Sequence, residues 1–284
     1  MRARAMILRS LLAIALMSPA VGGLSQEFNV MSLNIRYDEP RDSTDNWQHR
    51  RDDMLKTIQW YQPAFLGIQE GLAHQVKYMD NALQTYRFVG VGRDDGAEAG
   101  EFSAIFYDTT QFSCRWSRTF WLSETQDIPS TGWDAAYERI CTYGLFLHRE
   151  TNNMLLVFNT HFDHVGKVAR LNSSQLILDK IRQLRREYPL PVILMGDFNV
   201  APDEEPIQVI TLELADALNA SSGPLQGPIG TFNGFQVDTK PDRRIDYIFI
   251  EDLNVMHYLH LEDKTEDGRW ISDHLPVLAT ISFK

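Results

Sequence analysis

The run Pro191-Val192-Ile193-Leu194-Met195 ends in Gly196-Asp197-Phe198-Asn199, and that junction constrains this chain more than any other stretch. A run apolar on both faces suits a strand buried inside a sheet that is covered on each side, as in α/β proteins. Such a strand delivers Asp197 and Asn199 to its carboxyl edge, where open α/β sheets hold their ligands. A second acid-bearing turn, Ser272-Asp273-His274-Leu275-Pro276, leads into the apolar stretch from Val277. Carboxylates gathered at strand ends are the donors that hard cations take.

Strand-like runs recur at residues 28–37, 64–69, 86–92, 102–108, 112–123, 139–148, 154–160, 191–195, 244–251, 254–261 and 277–283. Helical periodicity places Met54, Leu55 and Ile58 on one face of 47–61, and Val168, Leu171, Leu178, Ile181 and Leu184 on one face of 167–188. Between 102 and 160 no helix separates the strands, which predicts antiparallel neighbours, with residues 106–112 as a hairpin of weak turn chemistry. The fold class that follows is α/β: two stacked mixed β-sheets with helices outside, a four-layer sandwich.

No Pro/Gly/Ser-rich linker divides the 284 residues. Arg2, Arg4 and Arg9 precede the apolar run 11–17 and the small residues Ala20, Gly22 and Gly23, the build of a secretory signal peptide over residues 1–25. Residues 26–284 would then form the mature catalytic domain, secreted or periplasmic, with no transmembrane segment. The 27 basic and 38 acidic residues give a formal net charge of −11, which disfavours a polynucleotide partner without excluding one. Cys114 and Cys141 are compatible either with a disulfide or with two buried thiols. Nothing in the sequence implies a protein partner.

Six polar clusters end or interrupt apolar runs: Ser32-Leu33-Asn34, Gly67-Ile68-Gln69-Glu70, residues 159–164 with His161 and His164, residues 196–199, Arg244-Ile245-Asp246, and Ser272-Asp273-His274. Singly each has a bland reading. Glu70 could complement a helix that opens at Gly71, Asp197 and Asn199 could form an Asx turn, His161 and His274 could be core histidines, and Asp246 could pair with Arg243 or Arg244. Six uncompensated polar strand ends in one chain are costly unless they share a purpose.

In this order the clusters resemble the endonuclease/exonuclease/phosphatase superfamily, over residues 29–282. Gly92-Arg93-Asp94-Asp95-Gly96, Gly100-Glu101-Phe102 and Thr119-Phe120-Trp121-Leu122-Ser123 are similar to its small secreted bacterial branch. The resemblance implies a metal-dependent phosphoesterase in which water attacks phosphorus in line. It implies that Glu70 ligates magnesium, with manganese as a substitute, and that Asn34 and Asp273 belong to the metal site. Asn34, His161, Asp197, Asn199, Asp246, Asp273 and His274 become the catalytic set, with Asp273 orienting His274 as general base and Asp246 orienting His161. Where abasic-site endonucleases carry a further acid two residues after the asparagine, this chain has Arg36, a candidate phosphate-binding cation. Arg93, Glu101, Trp133, Arg139, His164 and Trp270 are expected at the substrate rim.

The substrate expected from sequence is a phosphate ester, first a small or headgroup-type diester. A metal-dependent endonuclease is the enzymatic alternative, and a non-catalytic phosphate-binding module is the alternative of another class.

Overall fold

Side chains of strand β1 (Glu27–Asn34) alternate between two cores, Phe28 and Val30 facing one, Met31 and Leu33 the other. That two-residue period, repeated in every central strand, layers the molecule. The computed structural model describes residues 27–284, so the leader expected over 1–25 lies outside the described residues. After β1 come a short 3-10 helix (Pro40–Asp45), α1 (Trp47–Tyr61), β2 (Phe65–Gln69), α2 (Ala73–Ala82), β3 (Tyr86–Val89), β4 (Ile105–Asp108), β5 (Phe112–Trp121), β6 (Ile140–His148) and β7 (Met154–His161). Then follow α3 (Lys167–Glu187), β8 (Val192–Asp197), α4 (Glu205–Thr211), β9 (Ala215–Asp216), α5 (Ala217–Ala220), β10 (Asp246–Glu251), β11 (Leu253–His260) and β12 (Val277–Phe283).

Two six-stranded mixed sheets result, ordered β11-β12-β1-β2-β4-β3 and β5-β6-β7-β8-β10-β9. Val30, Phe65, Val157, Ile193, Ile248 and Ile281 meet between them. Met54 and Ile58 of α1 cover the outer face of the first sheet, and Ile177 and Ile181 of α3 that of the second. This is the four-layer sandwich expected from the sequence.

Three local expectations are corrected. Residues 106–112 are not a hairpin, because β4 pairs with β2 and β3 while β5 pairs with β6. The Asp108 carboxylate instead accepts from Thr110 N, Thr110 Oγ1 and Gln111 Nε2, a side-chain-stapled turn that carries the chain from one sheet to the other. On α3 the buried face runs through Ala169, Ser173, Ser174, Ile177, Leu178 and Ile181, leaving Val168 exposed. The strand expected to reach Tyr37 stops at Asn34, since Arg36 turns into left-handed backbone at φ 55°. Cys114 and Cys141 are both free thiols, paired across the ladder with Phe146 and Phe120 rather than with each other.

Gly196 allows the central strands to close up. Parallel pairing sets it opposite Thr160, and a Cβ there would lie 2.1 Å from the Thr160 carbonyl oxygen. Gly196→Ala should therefore cost about 3 kcal/mol or more, seen as a lower urea midpoint; a wild-type midpoint would contradict this close packing.

His260 predicts a pH effect on stability. Its Nδ1 lies 2.8 Å from the Pro228 carbonyl while Nε2 is buried without a partner, so protonating Nε2 would create an unsatisfied charged donor. Burial pulls its pKa down to about 4. The unfolded chain gains this proton near pH 6.5 and the folded chain only near 4, so stability is full above 6.5 and declines as pH falls between these values. Urea melts at pH 7 and pH 5 should differ by about 2 kcal/mol from this residue. The pH dependence should shrink in His260→Phe; an undiminished difference would remove His260 as its source.

Candidate active site

Register brings the polar clusters to one edge of both sheets. In the first sheet β1 and β2 run parallel with Asn34 beside Gln69, and Glu70 follows. In the second, β7 and β8 run parallel with His161 beside Asp197, and antiparallel β10 begins with Asp246 opposite Asp197. Asp273 and His274 immediately precede β12. Arg36, Glu70 and Asn199 have φ values of 55°, 61° and 52°, left-handed conformations that cost a side-chain-bearing residue energy and that collect at functional sites.

Polar bonds tie the two sheets beneath this edge. Gln69 Nε2 donates to Asn159 Oδ1 at 2.7 Å, and Asn159 Nδ2 donates to the Ile68 and Ala104 carbonyls, both at 2.8 Å. Asn34 Nδ2 donates to Glu70 Oε1 at 2.9 Å and to Asp197 Oδ2 at 3.0 Å, while Asn34 Oδ1 accepts from Arg36 N. A flipped amide would aim its oxygen at two carboxylates, so this orientation is set by chemistry. Asn34 thus braces the acids through Nδ2, while its Oδ1 accepts from Arg36 N with one lone pair still to offer.

The carboxylate partners of the two histidines differ from those expected from sequence. His274 Nδ1 lies 2.9 Å from Asp246 Oδ2, so Asp246 orients His274, not His161. The Asp273 carboxylate instead faces Arg36, 3.8 Å from its Nε. Asn199 Nδ2 donates to the Phe162 carbonyl at 3.0 Å and faces His161 Nε2 at 3.1 Å. His161 therefore accepts at Nε2 and carries its proton on Nδ1, 3.8 Å from Glu101 Oε2. Asp197 Oδ2 stands between the imidazoles, 3.5 Å from His161 Nε2 and 3.8 Å from His274 Nε2.

Electrostatics separate the two imidazoles. Burial disfavours the His274 cation, but the Asp246 and Asp197 carboxylates outweigh it and hold the imidazole pKa well above the ordinary value. Burial, then the Arg139 and Arg93 charges, push His161 well below it, so His161 is neutral. Burial and the Asp246 charge lift Asp197 to about 7 against the pull of His274. One imidazole is suited to exchange a proton and the other to donate a hydrogen bond as a neutral ring.

A cavity of about 670 Å³ opens over these groups, lined by Glu70, Asp273, Asp197, Asn199, both imidazoles, Arg36, Arg93, Glu101, Arg139 and His164. Trp133 and Trp270 are not among its walls, which corrects the expected rim: the Trp270 ring is buried, with Nε1 donating to the Gln236 carbonyl. Tyr37, Tyr137, Phe232, Arg243 and Ile245 line it unforeseen. Tyr37, Arg243 and Ile245 adjoin the motifs in sequence, whereas Phe232 comes from a distant loop that bridges to His274 and carries no signal of its own.

The donor chemistry fits a hard divalent cation. Glu70 and Asp273 offer carboxylate oxygens on the cavity wall, and burial with the nearby Glu70 charge raises the Asp273 carboxyl above its usual range. Two carboxylates brought together out of water are relieved by a cation between them. Asp197, Asp246 and His274 form a second buried group of cation-competent atoms, all within 4.8 Å of one another. Glu70 and Asp273, facing the open cavity, are the better placed pair to receive an ion with its substrate.

Comparison with known proteins bears on the same edge. The family model described as "Endonuclease/Exonuclease/phosphatase family" matches residues 31–274. A solved mannosyl-6-phosphatase of Bacteroides thetaiotaomicron VPI-5482 is 38% identical, with 90% of this chain and 100% of that one covered at a TM-score of 0.86. An endonuclease/exonuclease/phosphatase protein from Bacteroides vulgatus is 34% identical, with 91% and 100% covered at 0.86. An uncharacterized protein of Acanthamoeba polyphaga mimivirus is 27% identical over 180 residues, 60% of this chain and 66% of that protein.

Proposed function

The chain belongs to the endonuclease/exonuclease/phosphatase family, and from that premise we propose that it is a divalent-metal-dependent hydrolase acting on the phosphate ester of a small polar alcohol. The observation that carries the reading is the placement of Asp197 Oδ2 within 4 Å of both imidazoles, in the cavity that also presents Glu70 and Asp273. Glu70 and Asp273 would hold the metal, magnesium first, which supplies charge neutralisation at the phosphoryl oxygens. The Asp197–His274 pair, whose Oδ2 and Nε2 lie 3.8 Å apart, takes the proton from the attacking water, with His274 Nδ1 held by Asp246. Asp197 offsets the His274 charge, and Asn199 fixes the His161 tautomer. The His161 Nδ1–H donates to a phosphoryl or leaving oxygen on the side opposite His274, and Arg36 supports the phosphate.

Sequence favours small diesters, but the solved mannosyl-6-phosphatase moves sugar monoesters to the front. The cavity is of a size for such a ligand, and a net charge of −11 opposes a polyanion. We also propose export, on the build of residues 1–25; a mature N-terminus determined within the first 20 residues would contradict that cleavage.

The test is a panel of mannose 6-phosphate, p-nitrophenyl phosphate, bis-p-nitrophenyl phosphate and plasmid DNA in magnesium. Turnover should be fastest on monoesters. Faster diester turnover would restore the order read from sequence, and nicking of plasmid alone would establish the endonuclease reading. Phosphate binding without turnover of any ester would establish the binding module.

A further inference from the structure

Arg36 is fixed beside both carboxylates assigned to the cation. Its Nε lies 3.8 Å from Asp273 Oδ2 and its Nη1 4.0 Å from Glu70 Oε2. Nε and Nη2 donate to Asp42 at 2.9 and 3.0 Å, and the guanidinium lies 4.6 Å from the Tyr37 ring centroid. Behind the same acids Arg50, only 1% exposed, donates to the carbonyls of Ile35, Arg36, Asp45 and Ile271. Among the described residues it has no ion-pair partner, and the acids that feel its charge are Asp273, Asp42 and Glu70.

We propose that Arg36 is a built-in counter-cation of the Glu70–Asp273 pair, making the site's affinities for a divalent cation and for a phosphate anion mutually dependent. The proposal rests on the metal-dependent phosphoesterase reading above. The Arg36 guanidinium, held in place by Asp42, already offsets part of the acids' charge, so a divalent cation alone meets its repulsion. A phosphate anion beside it restores the missing negative charge, and by linkage the cation strengthens phosphate binding by the same factor. A site of this kind stays weakly loaded until substrate arrives.

Isothermal calorimetry tests this by titrating Mg²⁺ into the full chain with and without saturating inorganic phosphate, and phosphate with and without Mg²⁺. In the wild type each ligand should tighten the other by about tenfold. Arg36→Gln should bind Mg²⁺ alone about tenfold more tightly and show coupling below about threefold, while Arg36→Lys, which keeps the charge, should stay near wild type. Independent binding of the two ligands to the wild type overturns the proposal whatever the variants do. So does an Arg36→Gln protein, folded by circular dichroism, with wild-type Mg²⁺ affinity and coupling. Absence of a saturable Mg²⁺ site that Glu70→Gln removes overturns the functional reading instead.

Discussion

His274→Ala lowers kcat by about 10³-fold, because it removes the one imidazole whose Nδ1 is held by a buried carboxylate and whose Nε2 faces Asp197 in the cavity. Asp246→Asn should cost about 10²-fold, since the neutral amide neither stabilises the imidazolium nor fixes the tautomer as firmly. The two residues act as one unit, so the double variant should be little worse than His274→Ala alone. Asp273→Asn is the control for this partnership. Its loss should multiply with that of His274→Ala and be partly recovered by added metal, because Asp273 faces Glu70 and Arg36. Additive losses for the Asp246–His274 pair, with non-additive losses for Asp273–His274, would return the base-orienting role to Asp273.

Glu70→Gln should abolish activity at ordinary metal concentrations by raising the metal-titration midpoint at least about tenfold, with a much smaller change in substrate KM. The substitution keeps the shape, and its amide oxygen can keep one of the two bonds that Glu70 accepts, from Asn34 Nδ2 or from Tyr37 N, so the fold should survive. A folded Glu70→Gln protein with an unchanged metal midpoint would take Glu70 out of the metal site.

What was legible in the sequence followed from periodicity and strand-end chemistry. The run 191–195 announced β8 because both its faces are covered, Ile193 and Met195 toward the facing sheet and Val192 and Leu194 toward the helices. The clusters ending at Asn34, Glu70, His161 and Asp197 were legible because parallel neighbours finish at one edge. Partnership was not legible. Asp273 adjoins His274 in the chain, yet its carboxylate faces Arg36, and the carboxylate that reaches His274 lies 28 residues away. Arg50 was missed for a related reason: inside a helix it reads as a surface cation, and only the fold gathers four carbonyls around it. Trp270 looked like a rim aromatic by proximity to Asp273, but it packs into the loop that supports the site.

This edge is expected to hydrolyse a phosphate ester with a metal and a carboxylate-held imidazole. The most direct measurement is phosphate release from mannose 6-phosphate and p-nitrophenyl phosphate by wild type and His274→Ala, each stripped with EDTA and then reloaded with magnesium. Negligible release is expected from both stripped proteins, with recovery in magnesium by the wild type only and His274→Ala about 10³-fold slower. Undiminished turnover by the stripped wild type, or equal turnover by reloaded His274→Ala, would contradict this chemistry.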